Sequence, residues 1–342
     1  MHTVLYTGGK ILTFCSQISC EAMAIRDGRI LFIGSLEKAY EVVGKNIEIR
    51  ELSGDVLMPS FLDAHSHFTA FAATLRLVPL GGCRSLKEIA HKLRDKCRET
   101  VSGKWVIGFG YDHTMLAEKR HPDRQFLDTI SISHPIMVSH VSGHMGGVNS
   151  RALDLLGICK ETVDPDGGKI GRGADGRPDG YLEERAFIQC SEKIPQPSLE
   201  EQLGLLKKAQ EIYFSYGITT IQDGKTGNAE FTLLKKAAER NMLSADVVAY
   251  ADMASCPELL HENPLYCSNY RDRLKLGGYK LFLDGSPQGK TAWMETPYRK
   301  GSDGYCGYPA MQDKELYGYL SRAVDERMQI MAHANGDAAC RQ

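Results

Sequence analysis

From about residue 198 onward, apolar strands and amphipathic helices take turns, and that alternation limits the fold more than any other feature. Ser198 stands as an N-cap with Glu200 and Glu201 in the first turn, a helix runs to Tyr216, and Gly217 stops it. Helices are also expected over about 228–241 and 313–327. With the apolar run 56–64, five core strands are expected, at about 56–64, 218–223, 245–250, 278–283 and 329–333. Strands that alternate with helices form parallel βα units. The 342 residues suit one large α/β barrel or two medium domains. The expected class is therefore α/β, a partial (β/α)8 TIM-type barrel holding strands one to five. Polar or ionisable residues fall near the C-terminal ends of several of these strands, where such a barrel keeps its site.

Residues 1–57 read as a small β domain, sandwich-like, with no chemistry of its own. Val4–Ile11 suggests a hairpin turning at Gly8-Gly9, and 22–33 a second one turning at Asp27-Gly28. Residues 58–342 are the expected barrel, with Pro59 marking an irregularity in its first strand. A segment from about 68 to 197 is extra to the alternation. Within it, a helix over 86–98 presents Leu86, Ile89, Leu93 and Cys97 on one face, and 105–110 and 135–141 are strands. Asp164-Pro165-Asp166-Gly167-Gly168 and Asp175-Gly176-Arg177-Pro178-Asp179-Gly180 carry loop or hairpin chemistry rather than core.

Bulk charge excludes little and favours nothing unusual. The net charge is −2, so no electrostatic case exists for nucleic acid or an anionic membrane surface. The expected partner is a small-molecule substrate; homo-oligomerisation is left open. No run of about 18 apolar residues occurs, and the first residues show no basic region followed by an apolar stretch. None of the ten cysteines forms a C-x-x-C pair, so they read as reduced, mostly buried thiols, and the expected compartment is the cytoplasm.

His65-Ser66-His67 carries the first chemistry. Residues i and i+2 of an extended chain point the same way, so both imidazoles can face one ion. A divalent metal such as zinc takes neutral nitrogen ligands at roughly 2 Å. Most H-x-H pairs are surface turns, but this one directly follows an apolar strand and Asp63. His333 closes another strand before the turn Ala334-Asn335-Gly336-Asp337; alone it would read as a hydrogen-bonded structural residue. Lys280 lies inside Tyr279-Lys280-Leu281-Phe282-Leu283, and buried lysines are rare. Two roles are open to it: a lysine that snorkels to water or pairs with Asp284, or an amine kept neutral by burial that adds carbon dioxide and becomes an anionic carbamate ligand.

The chain resembles the amidohydrolase superfamily, and within it the amidohydrolase-3 group, YtcJ-like and N-substituted formamide deformylase-like. The resemblance is carried by 59–67, by Gly143-His144 and Asn149-Ser150-Arg151-Ala152-Leu153, by 175–183 and 217–223, by Lys280-Leu281-Phe282-Leu283-Asp284-Gly285-Ser286, and by 333–337, in the family's order. It implies a metal-dependent hydrolase of non-peptide carbon–nitrogen bonds, amides or formamides, with one or two Zn²⁺ ions or another divalent metal. His65 and His67 become strand-one ligands, Lys280 the strand-four ligand in carboxylated form, and His333 the strand-five ligand. The segment 68–197 becomes an insertion between strands one and two. His144, Glu183 and Asp284 become substrate-binding candidates. His144 serves equally well as a structural hydrogen-bonding residue, and Glu183 as a solvated loop carboxylate.

The family pattern also expects a ligand His on strand six and an Asp on strand eight that acts as general base. Gln342 follows His333 by nine residues, so four of six expected positions are present and the catalytic residue is unknown. Asp284 and Asp337 lie nearby without matching that base. Against this pattern the chain reads as C-terminally truncated. Its second reading is a non-catalytic or inactive barrel protein with an interaction role. A deaminase or lactonase shares the ligands, though no purine-deaminase signature is recognisable. Tyr111, Trp293 and Tyr298 are candidate pocket aromatics, a role that competes with core packing.

Overall fold

The computed structural model describes residues 2–15, 19–44, 47–267, 269–285, 287, 290–298 and 304–342. Ser286, the last residue of one family-like run, lies outside them. The chain divides into two compact units, Met1–Asp63 with Phe214–Thr220, and Ala64–Tyr213 with Ile221–Gln342.

The first unit contains a four-stranded sheet ordered Arg29–Gly34, Ala22–Arg26, Thr3–Thr7, Glu48–Glu51, and a three-stranded sheet ordered Ser19–Cys20, Lys10–Leu12, Val56–Leu57. The Asp27-Gly28 hairpin forms as expected. Both turn residues have positive φ, 50° and 78°, the backbone a tight two-residue hairpin needs. The Gly8-Gly9 hairpin does not form. Thr3–Thr7 pairs with Ala22–Arg26 and Glu48–Glu51, while Lys10–Leu12 pairs in the other sheet. Gly9 carries the chain across because a Cβ there would lie 2.2 Å from the Asp55 carbonyl oxygen. A helix, Leu36–Val43, also interrupts the expected all-β stretch, with Ala39 buried and Leu36, Tyr40 and Val43 packed beside it.

The expected buried strand 56–64 is instead two short pieces, Val56–Leu57 and Phe61–Leu62, with Val56, Phe61 and Leu62 all more than half exposed. Pro59 separates them; it has no N–H to give a sheet ladder. Phe61–Leu62 pairs in parallel with Ile218 and Thr220. The strand Ile218–Thr226 continues into the second unit, and the five-stranded sheet there runs, in reverse chain order, Gln329–His333, Leu274–Phe282, Asp246–Asp252, Ile218–Thr226, Phe61–Leu62. The pairs for which register is defined are parallel. This is a mixed α/β fold with a curled parallel half-barrel sheet. Its helices form where the sequence places them, at Leu199–Ser215, Asn228–Glu239 and Asp313–Asp325. Ser198 and Glu201 make a reciprocal cap, Glu201 N–H to Ser198 Oγ at 3.3 Å and Ser198 N–H to Glu201 Oε2 at 2.7 Å.

Residues 68–197 build a six-stranded sheet ordered Gly168–Arg172, Pro178–Glu184, Met145–Val148, Ile136–His140, Val106–Tyr111, Val78–Pro79. Two buried clusters pack against it. Helix Leu86–Glu99, capped by Ser85, buries Leu86, Ile89 and Leu93 in one. The other holds Ile170 and Leu182 of the hairpin Gly168–Arg172 with Pro178–Glu184, so that segment is core as well as loop. All ten cysteines are free thiols, four of them buried, fewer than expected. No helix among the described residues is long and apolar enough to cross a membrane.

Candidate metal centre

Parallel pairing sets the site. Asp252 is in register with Lys280, and Phe282 with His333. Register partners share a face, as do residues i and i+2, so Asp252, Lys280, Phe282 and His333 stand on one face near the strands' C-terminal ends. The Phe282 ring lies among three cations or potential cations: Lys280 Nζ at 5.1 Å, Lys225 Nζ at 5.0 Å and the His333 ring at 5.4 Å between centroids.

His65 and His67 are held through the residue between them. Ser66 donates from Oγ to the Gln222 carbonyl at 2.9 Å, accepts from Tyr213 Oη at 2.7 Å, and its carbonyl accepts from Gly224 N–H at 2.7 Å. The two imidazoles are 5.2 Å apart between centroids. His65 Nδ1 lies 3.1 Å from Gln222 Oε1. That oxygen can only accept, so Nδ1 carries the hydrogen and Nε2 keeps a lone pair for a ligand. His67 has its pKa lowered, first by burial and then by repulsion from His65, Lys280, Lys225 and His333. The other three expected ligands are therefore within electrostatic reach of His67, and burial with their charge favours its neutral form.

Lys280 is 3% exposed, and burial alone lowers its pKa. No hydrogen bond or ion pair reaches it among the described residues. Its alternative role as a partner of Asp284 is not what the structure shows. Asp284 accepts three backbone N–H groups, from Trp293 and Gly336 at Oδ2 (2.9 and 2.7 Å) and from Asn335 at Oδ1 (2.9 Å). It lies 3.7 Å from His333 Nε2. That nitrogen also meets the Gly285 carbonyl at 3.1 Å and Asn335 Nδ2 at 2.9 Å, which leaves Nδ1 as the nitrogen open to a ligand. A buried amine without a counter-ion beside three imidazoles is a donor set that fits a divalent metal.

A cleft of about 940 Å³ opens beside His67, lined by Thr69, Lys225, Asp252, Glu230 and Phe282 among others. Lys225 Nζ is 3.8 Å from Asp252 Oδ2. Neither residue was singled out by the sequence, because the expected strands ended at 223 and 250, whereas the observed ones run to Thr226 and Asp252. Asp223, fully buried, accepts from Thr69 N–H and Oγ1 and from Thr226 Oγ1, tying the start of the helix Phe68–Thr74 to this edge.

The remaining candidates stand elsewhere. His144 is exposed, with Nδ1 3.0 Å from Glu184 Oε2. Glu183 is half-buried in the strand Pro178–Glu184, and its charge helps push the Tyr181 hydroxyl up to about 12, after burial. No hydrogen bond or ion pair joins either to the four ligand residues among the described residues. Tyr111 is fully buried and reaches His121 Nδ1 at 2.9 Å. A second group of histidines, His113, His121 and His140, gathers there with Asp112. Its sequence signal is the imidazole content of 111–144, which no compact motif organises.

Known proteins are similar to this chain in sequence and in fold. A putative amidohydrolase, YtcJ of Bacillus subtilis (strain 168), is 27% identical over 98% of this chain and 64% of its own length. The N-substituted formamide deformylase of Arthrobacter pascens is 28% identical over 69% of this chain and 45% of its own length. This chain thus spans less than two thirds of either relative. The crystal structure of an uncharacterized metal-dependent hydrolase from Pyrococcus furiosus superposes with a TM-score of 0.75 at 26% identity, covering 99% of this chain and 68% of that one. The model of the amidohydrolase family (Amidohydro_3) matches residues 48–342, and on that match the chain belongs to the amidohydrolase family, in its amidohydrolase-3 group.

Proposed function

We propose that this chain carries a metal-dependent hydrolase site for non-peptide carbon–nitrogen bonds of the amide or formamide class, on one face of a partial (β/α)8 barrel. The observation that carries the proposal is Lys280, buried and without a counter-ion and set with His333 around Phe282, together with the His65 and His67 rings 5.2 Å apart. His65 through Nε2, His67, His333 through Nδ1, and Lys280 would hold the ion, with zinc as the first candidate. Bound there, a divalent metal supplies a Lewis acid for the scissile carbonyl and lowers the pKa of water to about 7. Gln222 fixes the tautomer of His65, and Asp284 fixes the loop that presents His333. Burial lowers the pKa of the Lys280 amine and so favours the neutral form that adds carbon dioxide: an N–C bond forms, one proton leaves, and an anionic carbamate replaces the amine. Lys225 and Asp252 line the cleft beside His67 and offer opposite charges to a polar substrate. No residue of this chain is assigned as general base.

The test measures zinc, manganese and iron in the purified chain, before and after His65→Ala and His67→Ala. A panel of N-substituted formamides, N-acyl amino acids and cyclic amides is assayed in parallel for amine or formate release. The expected result is bound metal whose amount both substitutions lower, and any turnover abolished by a chelator. A chain that holds none of these metals, or holds them equally well in both variants, would refute the reading.

A further inference from the structure

We propose that Asp112, His113 and His140 form a second metal site, for a borderline first-row divalent ion such as Zn²⁺. It is built wholly within residues 106–142 and shares no residue with the centre above. The backbone brings the three together. The strands Val106–Tyr111 and Ile136–His140 are parallel, and Tyr111 is in register with His140. A register shift between Phe109 and Tyr111, with Gly110 at φ 94°, turns the end of the first strand. Asp112 and His113 therefore leave their strand beside His140.

The donor atoms cluster around His140 Nε2. His113 Nδ1 is 3.4 Å from His140 Nε2, and Asp112 Oδ1 is 3.7 Å from the same nitrogen. One ligand atom from each residue lies within 4.8 Å of the others. Two donors each about 2.0–2.1 Å from a tetrahedral ion are themselves about 3.3 Å apart. The two edges that meet at His140 Nε2, 3.4 and 3.7 Å, are thus within about 0.4 Å of that spacing.

The groups behind the donors are in place as well. His140 Nδ1 lies 2.9 Å from Ser142 Oγ and accepts from Ser142 N–H at 3.1 Å, which holds the ring with Nε2 toward Asp112 and His113. Asp112 Oδ1 accepts from Thr114 N–H and Oγ1 at 2.9 and 2.7 Å, which fixes the carboxylate. His121 stacks on His113 at 4.0 Å between centroids and is itself held by Tyr111 Oη. Two imidazoles and one carboxylate suit zinc-class ions better than magnesium or calcium, which prefer all-oxygen shells. Three protein donors leave a fourth position open, on the side where the Asp112 side chain is 36% exposed.

The test counts ions rather than activity. The full chain is stripped with a chelator, titrated with Co²⁺, and followed by its visible d–d absorption, with Zn²⁺ content measured after dialysis. The variants are H65A/H67A, and the same background with Asp112→Asn or His113→Ala, each checked for an unchanged circular dichroism spectrum. We expect the H65A/H67A chain to keep one ion, and either added substitution to remove it. Asp112→Asn keeps the side chain's size, so a loss there cannot be charged to misfolding. An H65A/H67A chain that holds no ion, or holds it undiminished after both added substitutions, overturns the proposal. Failure of the first centre shows instead as metal content insensitive to H65A/H67A.

Discussion

Asp284→Asn isolates what the buried carboxylate does for the metal-ligand loop. The side chain is fully buried, and its two oxygens take three backbone N–H groups, two from residues 51 and 52 positions later in the chain. Asparagine keeps one acceptor oxygen and places an NH₂ group where the other stood. If the amide oxygen serves Trp293 and Gly336, the Asn335 N–H faces a donor; if it serves Asn335, two N–H groups are orphaned. Hydrogen bonds to charged groups contribute about 1.5–3 kcal/mol each, and neutral ones about half that. One bond lost and two weakened come to about 4 kcal/mol, of which roughly 1 kcal/mol returns because no charge is buried any longer. The net cost is about 3 kcal/mol, concentrated on the turn 334–337. The assay is hydrogen–deuterium exchange on peptides spanning 329–342. A local opening made easier by about 3 kcal/mol speeds exchange at Asn335 and Gly336 roughly 100-fold. Gly336 has no slack with which to adapt, since a Cβ there would overlap the Trp293 carbonyl. Exchange within about threefold of the parent would refute the positioning role and return Asp284 to the substrate-contacting residues.

Asn149 is fully buried and makes four hydrogen bonds, accepting from Ile136 and Ala152 N–H at 2.9 Å and donating to the Ser131 and His134 carbonyls; Asn149→Leu should cost about 4 kcal/mol, read as a fall in thermal and urea midpoints, because it orphans four backbone groups. His121 is held at about 4, below its ordinary 6.5, first by burial and then by His113 and His140. The fold thus favours its neutral form, and that stability is present above pH 6.5 and lost as pH falls toward 4. After solvent screening the loss is about 1–2 kcal/mol between pH 7 and 4.5 in chelator-treated protein; urea titrations should show the slope, and His121→Asn should flatten it. At Gly224 a Cβ would sit 2.8 Å from the Ser66 carbonyl oxygen and 3.3 Å from the His65 ring. Gly224→Ala should therefore weaken zinc binding at least tenfold with little change in melting temperature, by displacing His65; unchanged affinity would show that His65 is not a ligand.

The proposed ligand residues stand out in the sequence because each is marked locally. An imidazole pair after an apolar run, a lysine inside a strand and a histidine ending one are all visible within nine residues. What escaped depends on distant partners. The Gly8-Gly9 turn has hairpin chemistry, yet which strands pair is settled by Ala22–Arg26 and Glu48–Glu51. Residues 56–64 are apolar enough for a buried strand, but hydropathy cannot show that Pro59 splits the run between two sheets. Lys225 and Asp252 were passed over because polar residues near a strand's end look like the start of a loop; only the ladder, with Asp252 opposite Lys280, shows that the strand continues. Asp284 was read as facing substrate because nothing in its neighbourhood announces amides half a hundred residues away.

Both candidate centres follow from one geometric fact. In a parallel pair, matched residues have the same chain direction, so the C-terminal ends fall on one edge and residues separated by a whole crossover become neighbours. Lys280 and His333 meet this way across 53 positions, and Asp112 and His140 across 28. An antiparallel pairing would send one member of each couple to the opposite edge. Where they differ is in how charge is handled. The His113–His140 pair has its own carboxylate, Asp112, so an ion there would be partly neutralised by a residue of the site. The His65–His67–His333 group has only the buried amine of Lys280, because Asp284 is spent on backbone N–H groups. A divalent ion would add two positive charges to imidazole ligands that carry no negative charge of their own. Lys280 as a carbamate, the substrate or hydroxide could each supply the anion, and bicarbonate-dependent metal affinity lost in Lys280→Met separates the first of these from the others.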